Sequence, residues 1–375
     1  MQPQSTLKGY TFEAQNTQHV IYVGANRQID ELWVDGNGWH VNDLTVVASG
    51  SPVAPSLGTP LACYAFEKDY TQHVIYVSEN HYVMELWWDK NGWHVNDLIV
   101  AAGSPASLRL DTPLVGYAFE NQSTQHVLYV SMDNHVIELW WDKNGWHSKD
   151  LTAATGAPVP KAGTPLVGYA FENQMSQHVV YLTTQNHVME LWWYNNKWHY
   201  NDLTEAAKGP VPPKLDTPLV GYAFEKQNTQ HIFYASMDNR VTEVWWDKNA
   251  WHKHDVSGSI GAPAPKVGSP LAGYAFENQD TQHVMYVTTD DRLMELWCDN
   301  NGWNANDLSL AAQAPPDRRP DTPLTAYAFE NQMSQHVMYL TTNNHVMELW
   351  WHNNKWRYHD LTTATGSPLV WFPAA

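Results

Sequence analysis

The sequence predicts an all-β fold, a seven-bladed β-propeller with four antiparallel strands in each blade. One motif, Glu-Leu-Trp and its close variants, recurs along the 375 residues with its glutamate every 52 to 54 positions. A period of this length is typical of solenoids, propellers and repeat arrays. The seven motif glutamates are Glu31, Glu85, Glu138, Glu190, Glu243, Glu295 and Glu348.

Each repeat contains four short segments that are rich in β-branched and aromatic residues and bounded by Asn, Asp, Gly or Pro. In the third copy these segments are residues 113–120, 125–130, 135–141 and 145–151. The sequence Asp-Lys-Asn-Gly between the last two is a hairpin signal. No segment keeps a 3.6-residue hydrophobic period, so we expect almost no helix. Four strands repeated seven times favour a propeller, because one repeat of about 50 residues is marginally stable alone.

We expect one propeller domain over residues 1–375, with a C-terminal tail at 367–375. The length differences between copies fall in Ala/Gly/Pro-rich stretches after the fourth strand, as expected for surface connections. Residues 369–372 of the tail are apolar, which predicts that the tail packs across the joint between blades seven and one. The predicted blades cover approximately residues 7–57, 58–110, 111–162, 163–214, 215–266, 267–319 and 320–366.

Composition and charge argue against several classes of protein. Hydrophobic residues make up 43% of the chain, so a large core can form and global disorder is disfavoured. The formal net charge of −18 argues against nucleic-acid binding. Two cysteines, Cys63 and Cys298, are too few for a disulfide scaffold or a cysteine-based zinc site. We predict neither a metal nor a cofactor.

The sequence also bears on the cellular location. It has no run of about 18 apolar residues, so we expect no insertion into a membrane. Its first residues, Met-Gln-Pro-Gln-Ser-Thr-Leu-Lys, lack the apolar core of a secretory signal. We therefore expect the protein to be cytoplasmic, or exported without a recognisable signal peptide.

Each motif glutamate has neighbours at fixed spacings. A histidine lies twelve positions before it, tryptophans lie two and eight positions after it in all seven copies, and a further tryptophan lies three positions after it in five. Side chains alternate between the two faces of a strand, so Glu138 and Trp140 point to one face and Leu139 and Trp141 to the other. In a propeller, the glutamate therefore faces the opposite side of the next blade across the interblade groove.

The repeated acids fall into two groups. The aspartate twelve positions after the motif glutamate and the glutamate that ends the first strand, such as Asp150 and Glu120, are predicted to serve the architecture through turns and side-chain-to-backbone bonds. The motif glutamate differs, because its neighbours are apolar and a buried carboxylate needs partners. The repeated histidine is the obvious partner. This pair is interpreted equally well as a part of the blade or as a part of a site.

With these motifs, the repeat resembles the fungal fucose-specific lectin propellers and their bacterial relatives. The resemblance covers the whole chain as a pattern of repeats. It implies a sugar in the groove between blades, where an arginine of the second strand and the glutamate of the third bind its hydroxyls and ring oxygen. An aromatic residue of the next blade, three positions past its glutamate, covers the apolar face of the sugar. Members usually have six blades, whereas this chain has seven.

The resemblance carries over residue by residue. The glutamate is present in seven copies and the aromatic in five, but the arginine position holds histidine, as in Gln72-His73-Val74. Histidine lacks the permanent charge and the two-pronged fork of arginine. A sugar site is still implied, with the glutamate accepting hydroxyl hydrogen bonds and the tryptophan stacking on the pyranose, but its sugar need not be fucose.

If neighbouring blades share each pocket, five pockets are complete and two are not. In the incomplete ones His231 and Glu243 face Cys298, and His336 and Glu348 face Val34. The complete pockets are His19/Glu31/Trp88, His73/Glu85/Trp141, His126/Glu138/Trp193, His178/Glu190/Trp246 and His283/Glu295/Trp351.

We interpret the protein as a lectin-like carbohydrate-binding protein with several equivalent sites, whose partners are glycans or glycoconjugates. Near uniformity of the copies favours this interpretation, since multivalency multiplies modest single-site affinity. One alternative is an enzyme on the same scaffold, pericyclase-like or acid–base, with a single altered pocket. The other alternative is a protein-interaction platform. The sugar and the oligomeric state stay open at this point.

Overall fold

Seven four-stranded sheets form a closed ring. The computed structural model describes residues 7–104, 107–209, 213, 217–319 and 322–372. Within these residues, 28 strands form seven antiparallel sheets, and each sheet follows the order of its strands in the chain. The first strand of each blade contacts the first strands of both neighbours, and blade seven contacts blade one. The predicted seven-bladed propeller is therefore confirmed.

The two inner strands of each blade lie nearest the axis. The first strands are Leu7–Phe12, Leu61–Phe66, Val115–Phe119, Leu166–Phe171, Val220–Phe224, Leu271–Phe276 and Thr325–Phe329. The second strands are Thr17–Val23, Thr71–Val77, Thr124–Val130, Ser176–Leu182, Thr229–Ala235, Thr281–Val287 and Ser334–Leu340.

The two outer strands form the hairpin that the Asn-Gly signal predicts. The third strands are Ile29–Asp35, Val83–Asp89, Val136–Asp142, Val188–Tyr194, Val241–Trp246, Leu293–Asp299 and Val346–His352. The fourth strands are Gly38–Asp43, Gly92–Asp97, Gly145–Asp150, Lys197–Asp202, Trp251–Asp255, Gly302–Asp307 and Lys355–Asp360.

A one-turn helix follows every fourth strand. The strand-four aspartate caps it: in blade three the carboxylate of Asp150 accepts a hydrogen bond of 2.8 Å from the backbone N–H of Ala153. This confirms the predicted side-chain-to-backbone role. The hydrophobic pattern of the sequence does not predict these helices, because four or five residues are too few to show a 3.6-residue repeat. The helices are Leu44–Val47, Leu98–Ala101, Leu151–Thr155, Leu203–Ala206, Val256–Ser259, Leu308–Ala311 and Leu361–Thr365, and short 3-10 turns lie at Glu13–Gln15, Glu120–Gln122 and Glu172–Gln174.

The strand register gives each blade two distinct faces. In blade three, Tyr117, His126 and Trp140 are cross-strand neighbours and lie on one face. Gln125 and Trp141 are paired on the other face. The observed register therefore agrees with the predicted alternation along the third strand. We call the first of these the histidine face and the second the glutamine face.

The histidine face of each blade packs against the glutamine face of the next. A tyrosine hydroxyl from one blade donates to a glutamine carbonyl of the next, for example Tyr117 to Gln177 at 2.9 Å. Burial raises the pKa of these tyrosines well above the ordinary value, so the hydroxyl keeps the proton that it donates. The ring of seven pairs is Tyr10–Gln72, Tyr64–Gln125, Tyr117–Gln177, Tyr169–Gln230, Tyr222–Gln282, Tyr274–Gln335 and Tyr327–Gln18.

A second ring of hydrogen bonds uses the glutamate that ends the first strand. Glu172 accepts from the backbone N–H groups of Glu120 and Asn121, at 2.7 and 3.0 Å, in the preceding blade. Glu13 of blade one accepts from Glu330 in the same way and closes the circle. Partial burial raises the pKa of Glu172. The architectural role predicted for this glutamate is confirmed.

The C-terminal tail lies across the joint between blades seven and one. The backbone N–H of Val370 donates to Asn344 of blade seven at 3.1 Å, and that of Trp371 donates to Val23 of blade one at 2.8 Å. Val370 is also buried in the apolar cluster between these two blades. The tail therefore replaces, for blade one, the connecting segment that precedes each of the other blades, as its apolar residues predict. The end of the predicted tail, 373–375, lies outside the described residues.

Replacing Tyr117 by Phe should destabilise the protein by about 1–3 kcal/mol, because the buried Gln177 carbonyl then loses its donor. Urea unfolding measures this change in the free energy of unfolding. Tyr200, which is exposed, provides the control, and Tyr200→Phe should change stability by less than about 0.5 kcal/mol. Equal effects of the two substitutions would show that the interblade bond contributes nothing.

Asp30 is a buried carboxyl group close to the joint between blades seven and one. It is buried, and its Oδ2 has no hydrogen-bond partner among the described residues. The carboxyl lies against Gly24, whose backbone pairs with Val370 of the tail. A Cβ at Gly24 would lie 2.0 Å from this oxygen, so the glycine makes room for it. Burial, together with the charge of Asp43, raises the pKa of Asp30 to about 7.

Because the folded-state pKa exceeds the unfolded value of about 3.9, folded Asp30 binds its proton more tightly, and stability falls as the pH rises from about 4 to about 7. The Asp30→Asn variant should lose roughly 1.4 kcal/mol less per pH unit across this window. Urea unfolding at pH 5 and pH 8 compares the two proteins. Parallel pH profiles would contradict the assignment.

Candidate functional site

The motif histidine and glutamate form a hydrogen-bonded pair inside each blade. In blade three, His126 Nδ1 lies 2.9 Å from Glu138 Oε1, and His126 Nε2 lies 2.8 Å from the hydroxyl of Thr124. A neutral imidazole with its proton on Nδ1 satisfies both contacts. Tyr117 stacks on the imidazole with ring centroids 5.2 Å apart. Both nitrogens of the histidine are therefore committed within the blade.

All seven blades repeat this arrangement. The Nδ1–Oε1 distances run from 2.7 to 2.9 Å, and every histidine and glutamate of the set is buried. The residues predicted from the sequence do not include the hydroxyl residue two positions before the histidine, although its spacing is equally constant. These residues are Thr17, Thr71, Thr124, Ser176, Thr229, Thr281 and Ser334.

A hydroxyl, an imidazole and a carboxylate in sequence are the components of a hydrolytic triad. Here the same three groups recur in every blade, with threonine in five of them, and the imidazole and carboxylate of each set are buried. Uniform repetition and burial favour a role in holding the second and third strands together over a role in nucleophilic catalysis.

The second oxygen of the motif glutamate faces the fourth strand. In blade one, Asn42 donates to Glu31 Oε2 at 2.8 Å. Blade five has His254 at this position, 3.8 Å from Glu243 Oε2. Burial opposes ionisation of Glu243, but His231 and His254 outweigh it and hold the pKa of the carboxyl below its usual value. The carboxylate in turn raises the pKa of His254.

The tryptophan three positions after the glutamate forms the opposite wall of the groove. It pairs across the strands with the glutamine that accepts the interblade tyrosine bond, as Trp141 pairs with Gln125. Trp246 lies edge-on to Phe171 of the preceding blade, with ring centroids 6.5 Å apart. These tryptophans are half-buried. Each predicted set therefore brings a buried His–Glu pair and a half-buried tryptophan to opposite sides of one groove.

Three of the five wall tryptophans also take part in the packing between blades. Trp88, Trp193 and Trp351 also pack against the hydrophobic clusters that join their blades to the preceding ones. Trp88 lies 6.4 Å, between ring centroids, from Tyr70 as well. The physical reason is size, because an indole on a half-buried strand face spans both the interblade core and the groove. Only the exposed part of each of these rings is therefore free to contact a ligand.

The groove between blades seven and one contains a cleft of about 350 Å³. His336 and Glu348 line it from blade seven and Val34 from blade one, which is the register that the sequence predicts for this pair of blades. Trp39 and Trp350 form further walls. In the other incomplete groove Cys298 is half-buried, and burial raises the pKa of its thiol to about 11.

One group of side chains in the described part of the chain has the composition of a metal site. His187, Asp202 and Glu205 hold potential ligand atoms within 4.8 Å of one another. His187 Nδ1 already bonds to Asp202 at 2.6 Å, and Asp202 caps the following helix.

Among the described residues, the helices are all too short to span a membrane.

The buried His–Glu pair should matter more for stability than an exposed one in the same blade. Glu138→Ala removes the acceptor of a buried imidazole and should cost about 3 kcal/mol in the free energy of unfolding. His147, half-exposed and 3.0 Å from Asp142, is the control, and His147→Ala should cost at most about 1 kcal/mol. Urea unfolding of both variants measures the difference; similar losses would argue against a structural role for the buried pair.

The fold and its grooves define a class of protein, a β-propeller of near-identical blades with polar and aromatic walls between them. The sequence profile described as fungal fucose-specific lectin matches residues 156–368, more than half of the chain. The protein therefore belongs to the fungal fucose-specific lectin family.

Individual relatives agree with this assignment. A fucose-specific lectin of Arthrobotrys oligospora is 21% identical over 291 residues, which are 74% of this chain and 74% of that protein. The BP39L lectin of Burkholderia pseudomallei superposes with a TM-score of 0.71 at 15% identity, with 95% of this chain and 98% of that chain covered. A lectin of Aleuria aurantia, described as a six-bladed propeller, gives 0.57 at 15% identity, covering 95% of each chain. These structures show a shared fold.

Proposed function

We propose that this protein is a carbohydrate-binding lectin whose sugar sites are the grooves between blades. The observation that carries the proposal is the half-buried tryptophan that faces a buried His–Glu pair across the groove, in a chain of the fungal fucose-specific lectin family. Five grooves have this composition, so five equivalent sites per chain are proposed. A lectin with several weak sites gains affinity for surfaces that display many copies of its sugar.

The groove supplies the two kinds of contact that a pyranose needs. The tryptophan offers an apolar face for the C–H side of the ring. The second oxygen of the glutamate offers an acceptor for sugar hydroxyls. In blade seven this oxygen of Glu348 is 3.9 Å from His359, too far for a hydrogen bond, and Glu348 is one of the residues that line the open cleft. The histidine orients the glutamate and makes no direct contact with the sugar, because both its nitrogens are occupied.

Fucosylated glycans are the first ligands to test, since the relatives are described as fucose-specific. The histidine in place of arginine removes up to two charge-assisted hydrogen bonds from each site. We therefore expect weak single-site affinity and strong dependence on the density of the displayed glycan. Carbohydrate binding is favoured over catalysis, because the groove residues repeat around the ring while a single active site would break that repetition.

Two opposite substitutions test the role of the tryptophan wall. Trp141→Ala removes the wall of the groove between blades two and three, and should lower the number of sites per chain by one. Val34→Trp adds the missing wall between blades seven and one, where the cleft has room for it, and should raise that number by one.

The measurement is a glycan array to select the sugar, followed by calorimetric titration of the wild type and both variants with that sugar. Circular dichroism controls for folding. An array without binding by the folded wild type would refute the lectin function. Unchanged stoichiometry in both variants would leave the function intact but place the sugar outside the interblade grooves.

A further inference from the structure

The central channel of the propeller contains a second, different cavity. It has a volume of about 270 Å³ and is lined by the beginnings of all seven first strands. Most of the lining residues are Leu, Val, Ala and Gly, so most of the side chains are aliphatic, and polar atoms share the surface of the wall with them. The exceptions with a polar side chain are Lys8, Cys63 and Thr325, which come from the consecutive blades one, two and seven.

Lys8 is the one charged residue among the described residues of this lining. The equivalent position, two residues before the interblade tyrosine, holds Ala or Val in five of the other blades and Thr325 in the sixth. The blade architecture therefore does not require a lysine.

Among the described residues that line the channel, none carries a negative charge to balance the ammonium group of Lys8. The side chain is exposed to the cavity, yet surrounding protein desolvates it and lowers its pKa. It has no ion-pair partner among the described residues. Burial raises the pKa of the nearby Cys63 thiol to about 12, so the thiol is neutral and does not balance the charge. The Thr325 hydroxyl accepts a hydrogen bond from the backbone N–H of Gly9.

We infer that the channel binds a small apolar molecule that carries one anionic group, with a medium-chain carboxylate as the class of ligand. The carboxylate would form a charge-assisted hydrogen bond with Lys8, and the chain would displace water from the aliphatic side chains of the lining. The volume is below the range typical of drug-sized ligands, which limits the molecule to about the size of octanoate. This site is separate from the interblade grooves and does not depend on the lectin function.

Calorimetric titration with octanoate tests the inference, with 1-octanol as the neutral probe of the same chain length. We expect one octanoate site per chain. Lys8→Met should weaken octanoate binding by roughly tenfold or more and leave octanol binding unchanged, whereas Lys8→Arg should retain octanoate. Lys197→Met, on the exposed start of a fourth strand, is the control for loss of surface charge.

Chemical protection places the ligand without relying on a variant. Octanoate should slow reductive methylation of Lys8, read by peptide mass spectrometry, and leave the rate at Lys197 unchanged. No saturable octanoate binding by the wild type would overturn the inference. So would equal affinity in the wild type and Lys8→Met, or unprotected Lys8 at saturating octanoate. Glycan binding should be the same in the wild type and Lys8→Met, so failure of either proposal is distinguishable.

Discussion

Each blade must bury both of its faces against its neighbours, and this constraint governs the whole molecule. A single four-stranded sheet of this size has too little core to be stable by itself. The apolar clusters accordingly form between blades, and each contains residues from two adjacent sheets. The tyrosine–glutamine and glutamate–backbone rings fix how the faces meet. Ring closure between blades seven and one is therefore as important as any strand within a blade.

The same contacts that close the ring also build the candidate site. The glutamine that accepts the tyrosine bond is the cross-strand neighbour of the groove tryptophan. The tyrosine that donates this bond stacks on the histidine of its own blade. One set of interblade interactions thus positions both the tryptophan and the His–Glu pair of each groove. Binding residues held in this way need little rearrangement to receive a ligand, which reduces the entropy lost on association.

Much of the fold was predictable because the sequence repeats it seven times. The fixed address of Glu138 and the alternation around it predict the strands, the two faces and the wall formed by Trp141. The helix that Asp150 caps was not predictable, since one turn leaves no periodic signal. The sequence does not show that Gly24 makes room for the carboxyl of Asp30. This relation is visible only in the tertiary contacts. Lys8 departs from the repeat, so the pattern that the copies share does not predict a role for it.

The sequence predicts some of the features of the groove and not others. A histidine and a glutamate at a fixed spacing indicate a pair, but the sequence does not reveal that Thr124 occupies the other nitrogen of the imidazole. Under the proposed function, this contact makes His126 a group that positions Glu138 and not a direct sugar ligand. The sequence also does not reveal that a wall tryptophan such as Trp193 belongs to the interblade core as well. Its repeat position is compatible with the core and with a pocket.

A crystal structure with methyl α-L-fucoside, or with the sugar selected on the array, tests the account most directly. The account predicts the pyranose in the grooves, with its apolar face on tryptophans such as Trp141 and a hydroxyl near the glutamate. A sugar bound on the outer faces or in the central channel, with the grooves empty, would contradict it.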